Sequence, residues 1–280
     1  MQQFFAKFKA TAQTSRSFKE TLSRTIEPRI SEFINHCNAL IQEIYNALPR
    51  LGKKDLLIII EDLDKIPYSA AERLFFENTP NLVKLQTNVI YTFPSALRFN
   101  LRFKDISHYF RHNLVLTMIK VHEKDGSDFD TGIQIMRTIV EARMDLALFE
   151  SEELLPRLIR HSGGVLRDLF RLISDAAENA ELNDRERITP ADCERAYHQL
   201  RLAYRSMIAD NRIGDQFYPV AKYYEVLAAL ATSTDKFADN SEEVFHLRQS
   251  LCILDYNGTG WQDVHPVVRD ILIERGLIRN

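Results

Sequence analysis

The most constraining stretch of this chain is Leu56-Leu57-Ile58-Ile59-Ile60, a continuous aliphatic run that stops abruptly at Glu61-Asp62-Leu63-Asp64. A run of this length with no polar face predicts a strand covered on both sides, the environment of the middle of a parallel sheet. A second such run, Asn88-Val89-Ile90-Tyr91-Thr92-Phe93, is stopped by Pro94. A third, Leu114 to Val121, leads into a turn at Lys124-Asp125-Gly126. A helix-like stretch at about Ala70 to Glu77 separates the first two. Strands alternating with helices predict an α/β sheet with right-handed crossovers. Ligands of such sheets bind at the carboxyl ends of the strands, which is where Glu61 and Asp62 fall.

On either side of these strands the periodicity is helical. Phe18, Leu22, Ile26, Ile30, Phe33, Ile34, Cys37, Ile41, Ile44 and Leu48 recur at helical spacing, with Pro28 splitting or starting the helix and Pro49 and Gly52 ending it. From about residue 129 the pattern is helical throughout. Ile133, Met136, Val140 and Met144 share one face, Leu154, Leu158 and Ile159 a second, and Ser162-Gly163-Gly164 opens a helix carrying Leu166, Leu169, Phe170 and Ile173. Thr189-Pro190-Ala191-Asp192 is an N-cap followed by proline, starting a fourth helix to about Ala209. Beyond Gly214 the expected order is a helix over Val220 to Ala231, a serine-capped helix over Ser241 to Gln249, a hairpin turning at Asn257-Gly258-Thr259-Gly260, and a helix from Pro266 ended by Gly276. Helices followed by a hairpin suggest a winged helix. The expected domains are therefore 1–127, 128–213 and 214–280.

Composition narrows the function. A net charge of −3 lacks the basic footprint of a general polyanion binder. No apolar run is long enough to span a membrane, and the start carries no signal-peptide pattern, so the expectation is a cytoplasmic protein. The three cysteines, Cys37, Cys193 and Cys252, have no metal-ligand spacing and read as reduced and structural.

Carboxylates at the end of a buried strand can hold magnesium and polarise a water for attack on phosphorus. The segment Leu57-Ile58-Ile59-Ile60-Glu61-Asp62-Leu63-Asp64 resembles the Walker B strand of P-loop ATPases, and its ending resembles that of STAND and related AAA+ proteins. The resemblance implies magnesium at Glu61, where the family more often has aspartate, and water activation at Asp62. It implies a sensor-1 role for Thr92, at the end of the following strand, against the plain reading of a satisfied strand-end threonine. It implies a sensor-2 role for Arg167, which follows Gly163-Gly164 at the spacing of the origin-recognition type of lid, against the plain reading of a surface arginine. Arg98, Arg102 and Arg111 lie where arginine fingers occur, although a solvated helix face accounts for each of them better. The whole pattern, from about residue 15 to 280, resembles a partial P-loop NTPase core with an AAA+-like parallel sheet, then an all-α lid, then a C-terminal winged helix.

The phosphate-binding loop of that family is missing. It needs Gly-x-x-x-x-Gly-Lys-Ser/Thr before the Walker B strand, and the first glycine of this sequence is Gly52. Each charge-assisted hydrogen bond of such a loop contributes about 1.5–3 kcal/mol, whereas a millimolar complex needs only about 4 kcal/mol in total. The expectation is therefore a fragment or degenerate member of a nucleotide-dependent switch, with ATP and Mg2+ implied by the resemblance but no ATPase activity in this chain alone. Its partners would be a protein or a second copy. The alternatives are a winged-helix DNA-binding regulator, disfavoured by the acids opening Ser241-Glu242-Glu243-Val244-Phe245-His246-Leu247-Arg248, and a non-catalytic adaptor in which Trp261 and His265 are core residues.

Overall fold

The structure, a computed structural model, describes residues 29–213, 216–239, 241–256 and 260–279. Phe18, Leu22, Ile26, Pro28, Gly214 and the Asn257-Gly258-Thr259 turn lie outside them. The chain divides into two compact units, Met1–Asn113 and Leu114–Asn280. The boundary therefore falls before the third apolar run and not after it, and the four-helix segment shares one unit with everything that follows.

In the N-terminal unit, α1 (Ile30–Ala47) is followed by β1 (Leu57–Ile60), α2 (Tyr68–Glu72, continued by a π turn over Arg73–Glu77), α3 (Thr79–Leu82), β2 (Asn88–Tyr91) and α4 (Phe103–Tyr109). Strands β1 and β2 pair in parallel, with Leu57 opposite Asn88 and Ile60 opposite Tyr91. Packing beneath them is aromatic: Phe93 lies 5.8 Å from Phe75 and stacks on Phe103 at 6.1 Å. Among the described residues this sheet has two strands and is covered on one face only. Leu57, Ile59 and Ile90 remain 53%, 55% and 49% exposed, so the expectation of burial on both faces fails. The alternation comes from the pleat, which sends successive side chains to opposite faces. Ile58, Ile60, Val89 and Tyr91 form the half-buried set, and Leu57, Ile59 and Ile90 the more exposed one.

The third apolar run is not a strand of that sheet either. Leu114 and Leu116 are 89% and 97% exposed. Further on, Met118 N–H donates to Asp255 O at 3.1 Å, tying the run to the C-terminal unit. A short apolar run marks extended backbone without saying what it pairs with.

The C-terminal unit contains α5 (Asp130–Glu141), α6 (Leu154–His161), α7 (Leu166–Glu181) and α8 (Pro190–Met207). A capping box starts α8: Thr189 Oγ1 and Asp192 reciprocate across the first turn. Then come the hairpin β3 (Asn211–Ile213) and β4 (Gln216–Tyr218), α9 (Val220–Thr232), α10 (Glu242–Gln249), the antiparallel pair β5 (Ile253–Asp255) and β6 (Gln262–Val264), and α11 (Pro266–Glu274). Helix α8 packs along α7 and against α11, so one core runs through the unit and includes Met136, Leu158, Leu172, Leu200, Leu227 and Ile271. Each buried leucine contributes about 1.5–3 kcal/mol relative to exposure. Among the described residues no helix is long and apolar enough to cross a membrane.

Candidate functional site

The end of β1 is shaped by backbone conformation before side chains enter. Asp62 has φ +65° and caps a 3-10 turn over Leu63–Lys65. Aspartate is among the few side chains that tolerate this left-handed region. The turn is held from the neighbouring strand: Thr92 N–H donates to Ile60 O at 3.1 Å, and Leu63 N–H donates to Thr92 Oγ1 at 3.1 Å. Thr92 therefore fixes the backbone on both sides of Glu61-Asp62, and its hydroxyl is engaged in doing so.

Both carboxylates stand in solvent at the carboxyl edge of β1. Glu61 is exposed, and Asp62 Oδ1 accepts from Lys65 Nζ at 2.6 Å. Among the described residues no group of three or more histidine, cysteine, aspartate or glutamate side chains could hold a metal ion. Two neighbouring carboxylates fit magnesium of the hydrated kind, which takes one or two protein oxygens and keeps its waters or phosphate oxygens. They do not fit ATP alone, because no glycine precedes Gly52 to let backbone amides approach phosphates.

Arg167 belongs to the C-terminal unit. It is exposed on the first turn of α7, while Asp168 beside it turns inward and is buried. Thus the structure brings Glu61, Asp62 and Thr92 together on one edge, and Arg167 stands in the other unit. Of the finger candidates, Arg102 lies over the Phe76 ring at 5.0 Å and Arg98 over Phe99 at 5.8 Å, both structural contacts. Arg111 is exposed.

Sequence reasoning missed a buried polar cluster in the C-terminal unit. Asp168 Oδ2 accepts from Tyr204 OH at 2.6 Å and lies 3.2 Å from His265 Nε2. His265 stacks on Tyr204 with ring centroids 4.5 Å apart, and its Nδ1 caps α11 by accepting from Val267 N–H. Burial alone raises the Asp168 pKa, but the contacts from His265 and Tyr204 outweigh it and leave the carboxyl below its ordinary value. Both Trp261 and His265 are buried. No spacing signal links Asp168 to His265, since they are distant in the chain.

Helix α10, the candidate recognition helix, also turns its arginine inward. Arg248 is buried and donates to Gln262 Oε1 at 3.0 Å. Compared with known proteins, this chain matches no family model, no curated protein and no solved structure.

Proposed function

We propose that this chain is an AAA+/STAND-like regulatory module, part of a nucleotide-dependent switch, that does not hydrolyse ATP by itself. The observation that carries the reading is the parallel β1–β2 pair with Glu61 and Asp62 at its carboxyl edge and Thr92 bonded across to the turn that follows them. That arrangement suits a magnesium ion held through water by Glu61 and Asp62, with Thr92 positioning the turn. Magnesium, when bound, would neutralise phosphate charge. The chain's own residues supply only its carboxylate side.

Two further observations support the reading. The apolar face of Leu57, Ile59 and Ile90 suits a sheet that forms part of a larger α/β core. The order of α5 to α8, then α9, α10, the β5–β6 hairpin and α11, suits a helical lid followed by a winged helix. Arg167 is offered as the sensor-2 residue because it sits exposed on the first turn of α7, where helix dipole and guanidinium both favour phosphate.

Isothermal titration with Mg-ATP tests the claim about activity. The expected result is no binding at micromolar concentration and no phosphate release. Micromolar affinity, or turnover abolished by Asp62→Asn, would show that the chain is a complete ATPase.

A protein-facing winged helix is the second reading, and it is favoured over DNA binding by α10 itself. Its first turn carries Glu242 and Glu243, and Arg248 is turned into the core. Phosphate contacts require exposed lysine or arginine. A gel shift with generic duplex at low salt should show no complex; salt-sensitive binding would restore the DNA reading.

A further inference from the structure

A cleft of about 540 Å³ opens in the C-terminal unit where α6, the end of α9 and the β6–α11 junction meet. Its volume lies in the range of small-molecule sites, and its lining is charged. Lys124, Arg160, Lys236 and Arg269 line it against three carboxylates, Asp125, Asp128 and Asp263, an excess of one formal positive charge.

Two of those carboxylates are already committed. Asp128 is closed off by Arg160, whose Nε and Nη2 grip both its oxygens at 2.7–3.0 Å. Asp263 Oδ1 accepts from Lys236 Nζ at 3.1 Å, from Arg269 Nη2 at 3.0 Å and from Val264 N–H at 2.8 Å. The side chains of Lys236 and Asp263 are only 8% and 5% exposed, so this ion pair is fixed within the wall. One carboxylate thus serves two cations.

Arg269 is the surplus one. Both of its protein acceptors, Asp263 Oδ1 and Ala231 O, lie on Nη2. Among the described residues its Nη1 and Nε have no acceptor, although a guanidinium offers five donors in a planar fork. The Arg269 side chain is 35% exposed, so these donors face solvent that an anion entering the cleft can replace. Lys124, which carries no ion pair among the described residues, and the hydroxyl groups of Ser233 and Thr234 line the same cleft.

We propose that this cleft is an oxyanion site, with the open edge of Arg269 as its anchor, Lys124 and the Ser233 and Thr234 hydroxyls as further contacts, and the Lys236–Asp263 pair holding the guanidinium in place. The ligand is a small molecule bearing a phosphate or a carboxylate, the two groups whose geometry an arginine fork matches. This site is separate from Glu61-Asp62 and stands whether or not the nucleotide reading does.

The test is an amide NMR titration of the full chain with sodium phosphate and, separately, sodium succinate, against sodium chloride at constant ionic strength and pH. Saturable shifts confined to residues 121–128, 231–236 and 263–269 are expected, with a dissociation constant on the order of 1 mM. Arg269→Gln leaves the Lys236–Asp263 pair intact and should weaken binding at least ten-fold; Lys124→Gln, which removes no bond to the buried pair, should weaken it a few-fold and serves if the first variant does not fold. Saturation by phosphate alone identifies a phosphate ligand, by succinate alone a carboxylate ligand, and by both a general oxyanion site. No saturable shift with either anion overturns the proposal, as does an affinity that both substitutions leave unchanged.

Discussion

Replacing Gly164 by alanine tests how the turn before α7, and with it Arg167, is built. Gly164 has φ +82°, and a Cβ there would lie 1.8 Å from Ile119 O and 2.9 Å from Ile119 C. Those atoms are backbone and have little freedom to move. The segment is anchored at Met118 N–H to Asp255 O, 3.1 Å, and at Phe129 N–H to Val121 O, 3.0 Å. The left-handed conformation alone costs an alanine about 1–2 kcal/mol, and forced displacement of packed backbone about 1–3 kcal/mol more. The sum, about 2–5 kcal/mol, corresponds to a fall in melting temperature of about 5–20 °C for a unit of this length. Gly276→Ala is the control, since φ is +68° but nothing lies within 4 Å of its Cβ. It should carry the conformational cost alone, a fall of about 2–8 °C. Thermal melts by circular dichroism, with urea midpoints at unchanged m-value, measure both. Equal losses in the two variants would refute the close approach of Ile119 to Gly164.

Three titrations and substitutions probe the buried groups of the same unit. Burial, with Arg157 nearby, takes the His161 pKa from 6.5 down to about 4, so the unfolded chain binds more protons in between and stability should fall by up to about 3 kcal/mol as pH drops from 6.5 to 4. His161→Phe keeps the ring stacked on Tyr197, 3.8 Å away, and should flatten that part of the pH–stability curve; an unchanged curve contradicts the assignment. Tyr204→Phe removes the hydroxyl donor to Asp168 and should cost about 1.5–3 kcal/mol at neutral pH, read from denaturant midpoints. Because the Asp168 carboxyl is held below its ordinary value of 3.8, its contribution is present above that pH and lost below, so the gap between wild type and Tyr204→Phe should narrow as pH is taken under 3.8.

The parts of this fold legible in the sequence are those set by local chemistry. Helices α5 to α8 follow from a 3.6-residue apolar period and from caps such as Thr189-Pro190-Ala191-Asp192, and the structure ends them within a few residues of those signals. Strand β1 is equally plain, but which of its faces is covered depends on elements far along the chain. Leu114 to Val121 carries the same aliphatic signal as β1 yet belongs with β5 to the C-terminal unit, where Met118 N–H donates to Asp255 O, a pairing that no short window contains. The β3–β4 hairpin was hidden because three-residue strands leave almost no alternation to count. At the candidate site, Glu61 and Asp62 were visible as an abrupt change from aliphatic to acidic. That the Thr92 hydroxyl is spent on Leu63 N–H, that Arg248 turns inward, and that Asp263 serves two cations were not visible, because each depends on side-chain direction in three dimensions.

The central claim, that Glu61 and Asp62 form the carboxylate half of a magnesium site, is tested most directly with Mn2+ as a paramagnetic stand-in. Substoichiometric Mn2+ should broaden the amide resonances of residues 61–63 selectively, and Asp62→Asn, which keeps a side chain tolerated at φ +65°, should remove the effect together with Glu61→Gln. No broadening at this edge, or broadening that survives both substitutions, would contradict the account.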